Sequence, residues 1–352
     1  MVKPAFKGIG APLSSLAKIQ QPSGKNPLDG LALVLAEDLA SVNALILEKM
    51  HSDVPMIPQL AGYLIAAGGK RIRPLMTLAC AGLFGYQGNR HHALAACVEF
   101  IHTATLLHDD VVDDSDQRRG RASANAVFGN EAAVLVGDFL FSRSFELMVA
   151  DGSLDVLRIL SKASATIAEG EVLQLSNNCN LDIREEDYLR VITSKTAVLF
   201  AAACEVGGVV AGRSEAERRA LYDYGLNLGI AFQMADDILD YGLSGQSLGK
   251  TVGDDFREGK MTLPVVMALQ RATPDERQFW EQYFVDRQQA DENGLVKAQS
   301  ILTKHNLIAQ GLEKARQYGQ LAHQALAALP VPKTPLLQML DDLIGFSIDR
   351  AH

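Results

Sequence analysis

The sequence has few cysteines, no long apolar run and no excess of positive charge, and each shortage excludes a class of protein. The four cysteines are far apart in 352 residues and suit neither a disulfide framework nor a zinc knuckle, so we expect buried thiols in the reducing cytoplasm. No stretch reaches the roughly 18 uninterrupted apolar residues of a transmembrane segment. The net charge of −9 leaves no basic face for a nucleic acid.

Alternation of apolar and polar residues with a period of two is also nearly absent, whereas apolar residues recur at helical spacing through most of the chain. No repeat period marks a solenoid. We therefore predict an all-α fold, a single large helical bundle around a central apolar cavity. The predicted helices cover residues 31–50, 59–67, 74–84, 91–114, 131–149, 154–175, 185–210, 215–241, 275–287, 295–304, 307–329 and 335–350.

The bundle is expected to form one domain over residues 28–352, preceded by a flexible tail over residues 1–27. The tail has four lysines, no acidic residue and several prolines, glycines and serines. A transit peptide remains open as an alternative. The tail has no arginine and no compact apolar segment, however, which favours a plain flexible tail.

The chemistry concentrates in His108–Gly120, which holds five acids and two arginines in thirteen positions. On a helix, Asp109 and Asp113 share a face and Asp110 lies beside them. Carboxylates this close repel one another unless a divalent cation lies between them, and Mg²⁺ prefers one or two carboxylates together with phosphate oxygens. The arginines that follow suit phosphate recognition because their donors are planar and forked.

A second acid group, Asp236, Asp237 and Asp240, repeats the same spacing 127 residues after the first. One such group often decorates a solvated helix face. Both groups here follow apolar stretches that should be buried, where carboxylates without partners are costly. The pair therefore predicts a shared site for metal and a polyanion.

Three segments supply cations. Gly68–Pro74 carries three cations in four positions after a glycine pair, which suits a dianionic ligand or, alternatively, a solvated charged turn. Lys195 lies in an apolar helix, where it needs an anionic partner unless its side chain reaches the surface. Lys250 and Lys260 belong to a glycine-containing segment that is either a lid or an ordinary surface loop.

Together these motifs resemble the trans-isoprenyl diphosphate synthases, or polyprenyl synthetases, from about Gly68 to Pro264. The five motif regions of that family stand in order, and no catalytic position departs from the family pattern. The regions are Gly69–Pro74, Asp109–Asp113 with Arg118, Arg119 and Gly120, Gly170–Gln174, Lys195 with Thr196, and Phe232–Tyr241 with Gly249, Lys250 and Glu258–Lys260.

The resemblance implies a Mg²⁺-dependent prenyltransferase that condenses isopentenyl diphosphate with an allylic diphosphate repeatedly. The helix before Asp109 resembles long-chain members, which make octaprenyl to decaprenyl products for quinone tails. In short-chain members a bulky aromatic stands near position 104, whereas Ala104 here leaves the product tunnel open. A homodimer is expected from the family, and the water-insoluble product makes contact with a membrane surface conceivable.

The resemblance also assigns roles to single residues. Three Mg²⁺ ions are implied, with Asp109 and Asp113 as ligands of two and Asp236 as ligand of the third. The residues expected to be catalytic are Asp109, Asp113, Arg118, Lys195 and Asp236. Those expected around the allylic diphosphate are Arg118, Lys195, Thr196, Gln233, Lys250 and Lys260. Those expected around isopentenyl diphosphate are Lys70, Arg73, His102 and Arg119, with Arg71 undecided. The departing diphosphate is expected to take the proton, and His108 is expected to support or pack rather than act as base.

Three other functions remain open. A shorter-chain synthase would use the same site with a shorter tunnel. A class I terpene cyclase shares the metal-triggered ionisation, but it usually has an Asn/Ser/Glu-type second motif and needs no site for isopentenyl diphosphate. A non-catalytic partner subunit of a synthase typically loses acids from one motif, whereas this chain keeps all six.

Overall fold

The computed structural model describes residues 26–66, 68–118, 121–242, 252–286 and 292–349, and these ranges form the all-α structure that the sequence predicts. The helices of the first half are α1 (Pro27–Val34), α2 (Ala36–Lys49), α3 (Met56–Ala66), α4 (Ile72–Gly82), α5 (Arg90–Val112), α6 (Ala124–Phe128), α7 (Asn130–Asp151) and α8 (Leu154–Asn177). Those of the second half are α9 (Glu185–Ile192), α10 (Val198–Val210), α11 (Glu215–Asp240), α12 (Asp254–Glu258), α13 (Leu263–Leu269), α14 (Pro274–Trp280), α15 (Glu292–Lys304), α16 (Leu307–Ala327) and α17 (Pro335–Asp349). Two short strands, β1 (Gln117–Arg118) and β2 (Arg121–Ala122), pair antiparallel after α5.

The core is organised around α11 and α5. Helix α11 packs against α10, α16 and α17, and α5 packs against α7, α4 and α2. Helices α4, α10 and α13 are buried on nearly all sides, in keeping with their almost continuous apolar sequences. Buried apolar side chains form one cluster from Leu28 to Ile348, which supports the proposal of a single domain.

Small residues let α10 approach its neighbours closely. A Cβ added at Gly207 would lie 2.7 Å from the backbone oxygen of Thr77 on α4. A Cβ at Gly225 on α11 would lie 2.5 Å from the backbone oxygen of Phe200 on α10. A larger residue at either position would force the helices apart, so the two glycines set the separation of these helix pairs.

The sequence predicts one helix over residues 31–50, but the structure breaks it at Leu35, whose backbone is not helical (φ −103°, ψ 23°). The two pieces, α1 and α2, are bent by 82°. Helix α1 packs against α17 whereas α2 packs against α5, so one straight helix would not bury both apolar faces. No glycine or proline marks the break, which explains why the sequence does not indicate it.

Other differences are local. The sequence does not predict the short helices α6, α12 and α13, although Pro264 in the first turn of α13 is a helix-start signal. The helices predicted over residues 185–210 and 275–287 contain π-helical turns at Thr193–Ala197 and Glu281–Val285. The first of these turns lies in the candidate site.

The predicted N-terminal tail lies, up to residue 25, outside the described residues. Among the residues that are described, no single helix is both long enough and apolar enough to cross a membrane. Helices α1 and α2 meet that requirement only as a pair, across their bend.

Candidate active site

Helix α5 carries the first acid group at its C-terminal end. Asp113 is the residue after the last helical turn, and its N–H donates to the backbone oxygen of Asp109 at 2.8 Å. The carboxylates of Asp109 and Asp113 are one turn apart and only 14% and 17% exposed. The first acid group is thus enclosed, as the apolar run before it predicts.

Asp110, the remaining acid of the first group, is buried more deeply than Asp109 and Asp113 and pairs with an arginine. It is buried, and Arg118 Nε on β1 donates to its Oδ1 at 2.6 Å. Burial raises the pKa of the Asp110 carboxyl, while Arg118 opposes that shift. The ion pair joins β1 to α5, and a contact of Arg118 with a diphosphate remains a prediction.

Lys195 has the anionic partners that its apolar surroundings require. Its Nζ lies 2.6 Å from Glu171 Oε2 on α8 and 3.6 Å from Asp109 Oδ2. Burial and the nearby charge of Asp109 raise the pKa of Glu171 to about 7, against the effect of Lys195. The sequence gives Glu171 no role of its own, although it lies in the Gly170–Gln174 motif.

The backbone that carries Lys195 is the π-helical turn Thr193–Ala197, between α9 and α10. A π turn inserts one residue into a helix and is frequent at functional sites. Helix α8 approaches this turn at Gly170, where a Cβ would lie 2.8 Å from the backbone nitrogen of Lys195. Gly170 therefore allows Glu171 to reach Lys195.

Helix α11 carries the second acid group. Asp237 is buried and accepts hydrogen bonds from the Tyr188 hydroxyl on α9 (2.7 Å) and from Gln233 Nε2 (2.7 Å). Thr196 Oγ1 in turn donates to Gln233 Oε1 at 3.0 Å. Burial, followed by the charge of Asp237, raises the pKa of Tyr188 well above its ordinary value, so the hydroxyl stays a donor. Asp236 is the residue before Asp237 on α11.

Asp240, the third acid of this group, caps the next helix. Its carboxylate accepts the backbone N–H groups of Asp254 (3.3 Å) and Asp255 (2.9 Å) at the start of α12. After α12, Lys260 Nζ donates to Asp113 Oδ2 at 2.9 Å and also contacts Glu258. Burial disfavours the ammonium, but Asp113 and the neighbouring acids raise the pKa of Lys260 overall.

The two acid groups belong to one site because two segments bridge them. Consecutive residues of the π turn contact different acid groups. Lys195 contacts Asp109 of the first group, and Thr196 reaches the second group through Gln233, which donates to Asp237. The segment that contains α12 contacts Asp240 at its start, through the N–H of Asp255, and Asp113 at its end, through Lys260. The sequence predicts this pairing, and these contacts support it.

The donors of both groups are carboxylate oxygens, which suit a hard cation such as Mg²⁺. Two ammonium groups already lie against the first group, and burial raises the pKa of Asp110 and Glu171. So many acids in a small volume therefore need positive charge to remain ionised. By this test, Asp109 and Asp113 fit the role of metal ligands, and the assignment of Asp236 remains a prediction.

Only some of the residues predicted to bind isopentenyl diphosphate line a common pocket. Arg71, in the left-handed region (φ 50°), pairs with the buried carboxylate of Glu99. Both residues and His102 line an open pocket beside α5 that also reaches Arg118. The guanidinium of Arg73 lies 4.3 Å from the ring centroid of Phe200.

Several predicted residues remain to be placed. Lys70 Nζ lies 5.6 Å from the ring centroid of Phe346, and neither Lys70 nor Arg73 lines that pocket. Arg119 and Lys250 lie outside the described residues. Ala104 is fully buried on α5, in the part of the helix before the acids.

Acids on two helices of an all-α scaffold, linked by the π turn and by the segment around α12, are the arrangement expected of a helical prenyltransferase. The chain belongs to the polyprenyl synthetase family, whose model matches residues 54–302. The match covers all five motif regions, from Gly69–Pro74 to Glu258–Lys260.

Its relatives resemble it over nearly their whole length. It is 49% identical to the octaprenyl diphosphate synthase of Escherichia coli K12, over 92% of this chain and 99% of the relative. It resembles the crystal structure of a decaprenyl diphosphate synthase from Rhodobacter capsulatus (52% identity, TM-score 0.88), covering 93% of this chain and 100% of that one. It also resembles a polyprenyl synthase from Caulobacter crescentus CB15 complexed with calcium and isoprenyl diphosphate (49% identity, TM-score 0.88, 95% and 99% covered).

The hydrogen bond from Tyr188 to Asp237 can be tested with Tyr188→Phe. We expect the free energy of unfolding to fall by about 2 kcal/mol, because a hydrogen-bond donor to a buried carboxyl is lost. We expect kcat for prenyl transfer to fall about tenfold as Asp237 and Gln233 lose their fixed positions. Urea denaturation and steady-state kinetics measure the two effects.

Tyr224→Phe is the matched control. The Tyr224 hydroxyl is buried too, but it donates to the backbone oxygen of Leu340 at 2.8 Å, away from both acid groups. This variant should lose about 1 kcal/mol of stability and keep its kcat. Equal kcat values for the two variants would show that Tyr188 does not position Asp237 for catalysis.

Proposed function

We propose that this chain is a Mg²⁺-dependent prenyltransferase that condenses isopentenyl diphosphate repeatedly with an allylic diphosphate. The product is a long-chain all-trans polyprenyl diphosphate, of octaprenyl to decaprenyl length, for a quinone side chain. The observation that carries the proposal is the pair of acid groups bridged by Lys195, Thr196 and Lys260. The octaprenyl and decaprenyl synthases among the relatives support the product length.

We assign Asp109 and Asp113 as ligands of two Mg²⁺ ions and Asp236 as ligand of a third. Mg²⁺ bound there would neutralise the charge of the diphosphate as it leaves the allylic carbon. The calcium and isoprenyl diphosphate held by the Caulobacter crescentus relative support a divalent cation beside a diphosphate. Lys195 and Lys260 would then turn from the carboxylates to the phosphate oxygens.

In the reaction, the bond between the allylic carbon and the diphosphate oxygen breaks, and the double bond of isopentenyl diphosphate forms the new carbon–carbon bond. One proton is lost, and we assign it to the departing diphosphate. His108 is a poor candidate for the base, because its Nε2 lies 3.2 Å from the backbone oxygen of Val134 on α7. The buried helices around the acids keep water from the cationic intermediate.

Arg71, His102 and Glu99 suggest where the second substrate binds. The pocket they line has apolar walls at residues such as Met50 and Phe100. Glu99 fixes the guanidinium of Arg71 at its edge. We assign this pocket to isopentenyl diphosphate, with Lys70, Arg73 and Arg119 as further contacts.

The proposed activity is tested by incubating the purified chain with Mg²⁺, labelled isopentenyl diphosphate and farnesyl diphosphate. We expect a ladder of longer prenyl diphosphates, resolved by chromatography after removal of the phosphates. Asp236→Asn should lower kcat about 100-fold or more. Asp114→Asn is the control, because Asp114 is exposed at the end of α5 and its positive φ (51°) also suits asparagine.

The other outcomes identify the alternatives. A cyclised hydrocarbon would show a class I terpene cyclase, and a short product would show a shorter-chain synthase. No product from the folded chain alone would favour the non-catalytic partner subunit.

Ala104→Tyr tests the assignment of the product tunnel. If Ala104 faces the growing chain, the tyrosine ring should stop elongation one turn below the acids and give products of about farnesyl to geranylgeranyl length. Ala104→Leu should shift the product ladder less, and it is available if the tyrosine variant does not fold. An unchanged ladder in a folded variant would contradict the assignment.

We also propose a homodimer. Helix α7 presents an exposed apolar stripe formed by Val134, Leu135, Phe145 and Val149, and two of these side chains, Leu135 and Val149, are 67% exposed. Such a stripe is typical of a surface that pairs with a second copy. Leu135→Glu should convert the species that sediments at twice the chain mass into one of single mass. A single-chain mass for the unaltered protein would reject the dimer.

We place the protein in the cytoplasm, where its thiols would remain reduced. Cys80, Cys97 and Cys204 are buried free thiols. Burial, followed by the hydrogen bond that its S–H donates to Cys80, raises the pKa of Cys204 well above its ordinary value. Contact with a membrane surface is part of the proposal only because the product is insoluble in water.

A further inference from the structure

The end of α5 opposite the acids carries a second cluster of possible metal ligands. His91 and His92 lie in the first turn of α5, and Asp38 lies in the first turn of α2. The cluster is 17 residues from Asp109 along α5, or about 26 Å at the rise of an α-helix. It therefore lies outside the site described above.

The three side chains converge on one point. Asp38 Oδ1 lies 2.8 Å from His92 Nε2 and 3.3 Å from His91 Nε2, and one ligand atom from each residue lies within 4.8 Å of the others. Ligand atoms about 2.0–2.1 Å from a tetrahedral Zn²⁺ ion are about 3.3 Å apart. The spacing of the cluster is thus close to that of a zinc site.

We propose that Asp38, His91 and His92 bind a divalent transition-metal ion of the Zn²⁺ type, which joins α2 to α5. Two imidazoles and one carboxylate form the donor set, and imidazole favours Zn²⁺ and its neighbours over Mg²⁺. The acids of the prenyltransferase site offer oxygens alone, so the two sites select different ions. Three protein ligands leave a fourth coordination position for water, and Asp38 is the most exposed of the three ligands, at 36%.

The surroundings hold His91 in place. Its side chain is only 5% exposed. The ring of Tyr86 contacts His91 edge-on at 5.1 Å, which fixes its orientation.

A simple hydrogen-bonded cluster is the alternative. In that case one carboxylate oxygen accepts from two imidazoles whose ring centroids are only 4.2 Å apart. In the described part of the chain, His91 Nδ1 is buried without a hydrogen-bond partner. The polar contact of the ring is therefore the one between Nε2 and Asp38. In the metal-bound form Nε2 binds the ion and the ring proton lies on Nδ1, so the two arrangements differ in what lies between Asp38 and the imidazoles.

The test uses the full chain, stripped with a chelator and titrated with Co²⁺ in excess Mg²⁺. Tetrahedral Co²⁺ has strong visible absorption that the octahedral ion lacks, so weak binding at the prenyltransferase acids does not interfere. We expect one equivalent of tetrahedral Co²⁺ per chain, displaced by one equivalent of Zn²⁺. Zn²⁺ at about 100 times its dissociation constant should raise the Tm by about 5 °C.

His92→Gln should abolish both the absorption and the Tm increase while leaving Mg²⁺-dependent prenyl transfer unchanged. His323→Gln is the matched control, because His323 also pairs with an aspartate, Asp341 (2.5 Å), but the pair lies between α16 and α17 and includes no second histidine. Asp38→Asn provides a second test if His92→Gln does not fold. Absence of stoichiometric tetrahedral Co²⁺ in the unaltered chain, or absorption that persists in folded His92→Gln or Asp38→Asn, would overturn the proposal.

Discussion

The repulsion among buried carboxylates is the constraint on which the rest of the site depends. Acids at the ends of α5 and α11 cannot all stay ionised unless each meets a cation or a donor. The structure meets this need from several elements, with Lys195 at Asp109, Lys260 at Asp113 and Tyr188 at Asp237. These contacts tie α8, α9 and the segment after α12 to the two acid groups.

The π turn shows how the backbone serves that requirement. In a regular helix, consecutive side chains point about 100° apart, and the inserted residue at Thr193–Ala197 changes their directions locally. Lys195 and Thr196 can therefore contact different acid groups from adjacent positions. The approach of α8 at Gly170 holds the turn in place, so this glycine is as much a part of the site as the charged residues.

Periodicity and residue chemistry predict a large part of this arrangement. Apolar spacing indicates the helices, and the two acid groups and Lys195 identify the site because buried charges need partners. The break at Leu35, the π turn and the donor Tyr188 are not visible in the sequence, since each depends on which distant helix packs nearby. Glu171 and the capping role of Asp240 are likewise set by tertiary contacts with Lys195 and α12.

Asp240 also anchors the chain where it returns to α11. The N–H of Gly242 bonds the backbone oxygen of Leu239, and the N–H of Gly253 bonds that of Asp240 at 2.8 Å. The last turn of α11 thus holds the chain at Gly242 and again at Gly253. Because Asp240 also caps α12, the end of one helix sets the position from which Lys260 reaches Asp113. A shift of the α11 terminus would therefore be passed on to the first acid group, although the two groups lie on different helices.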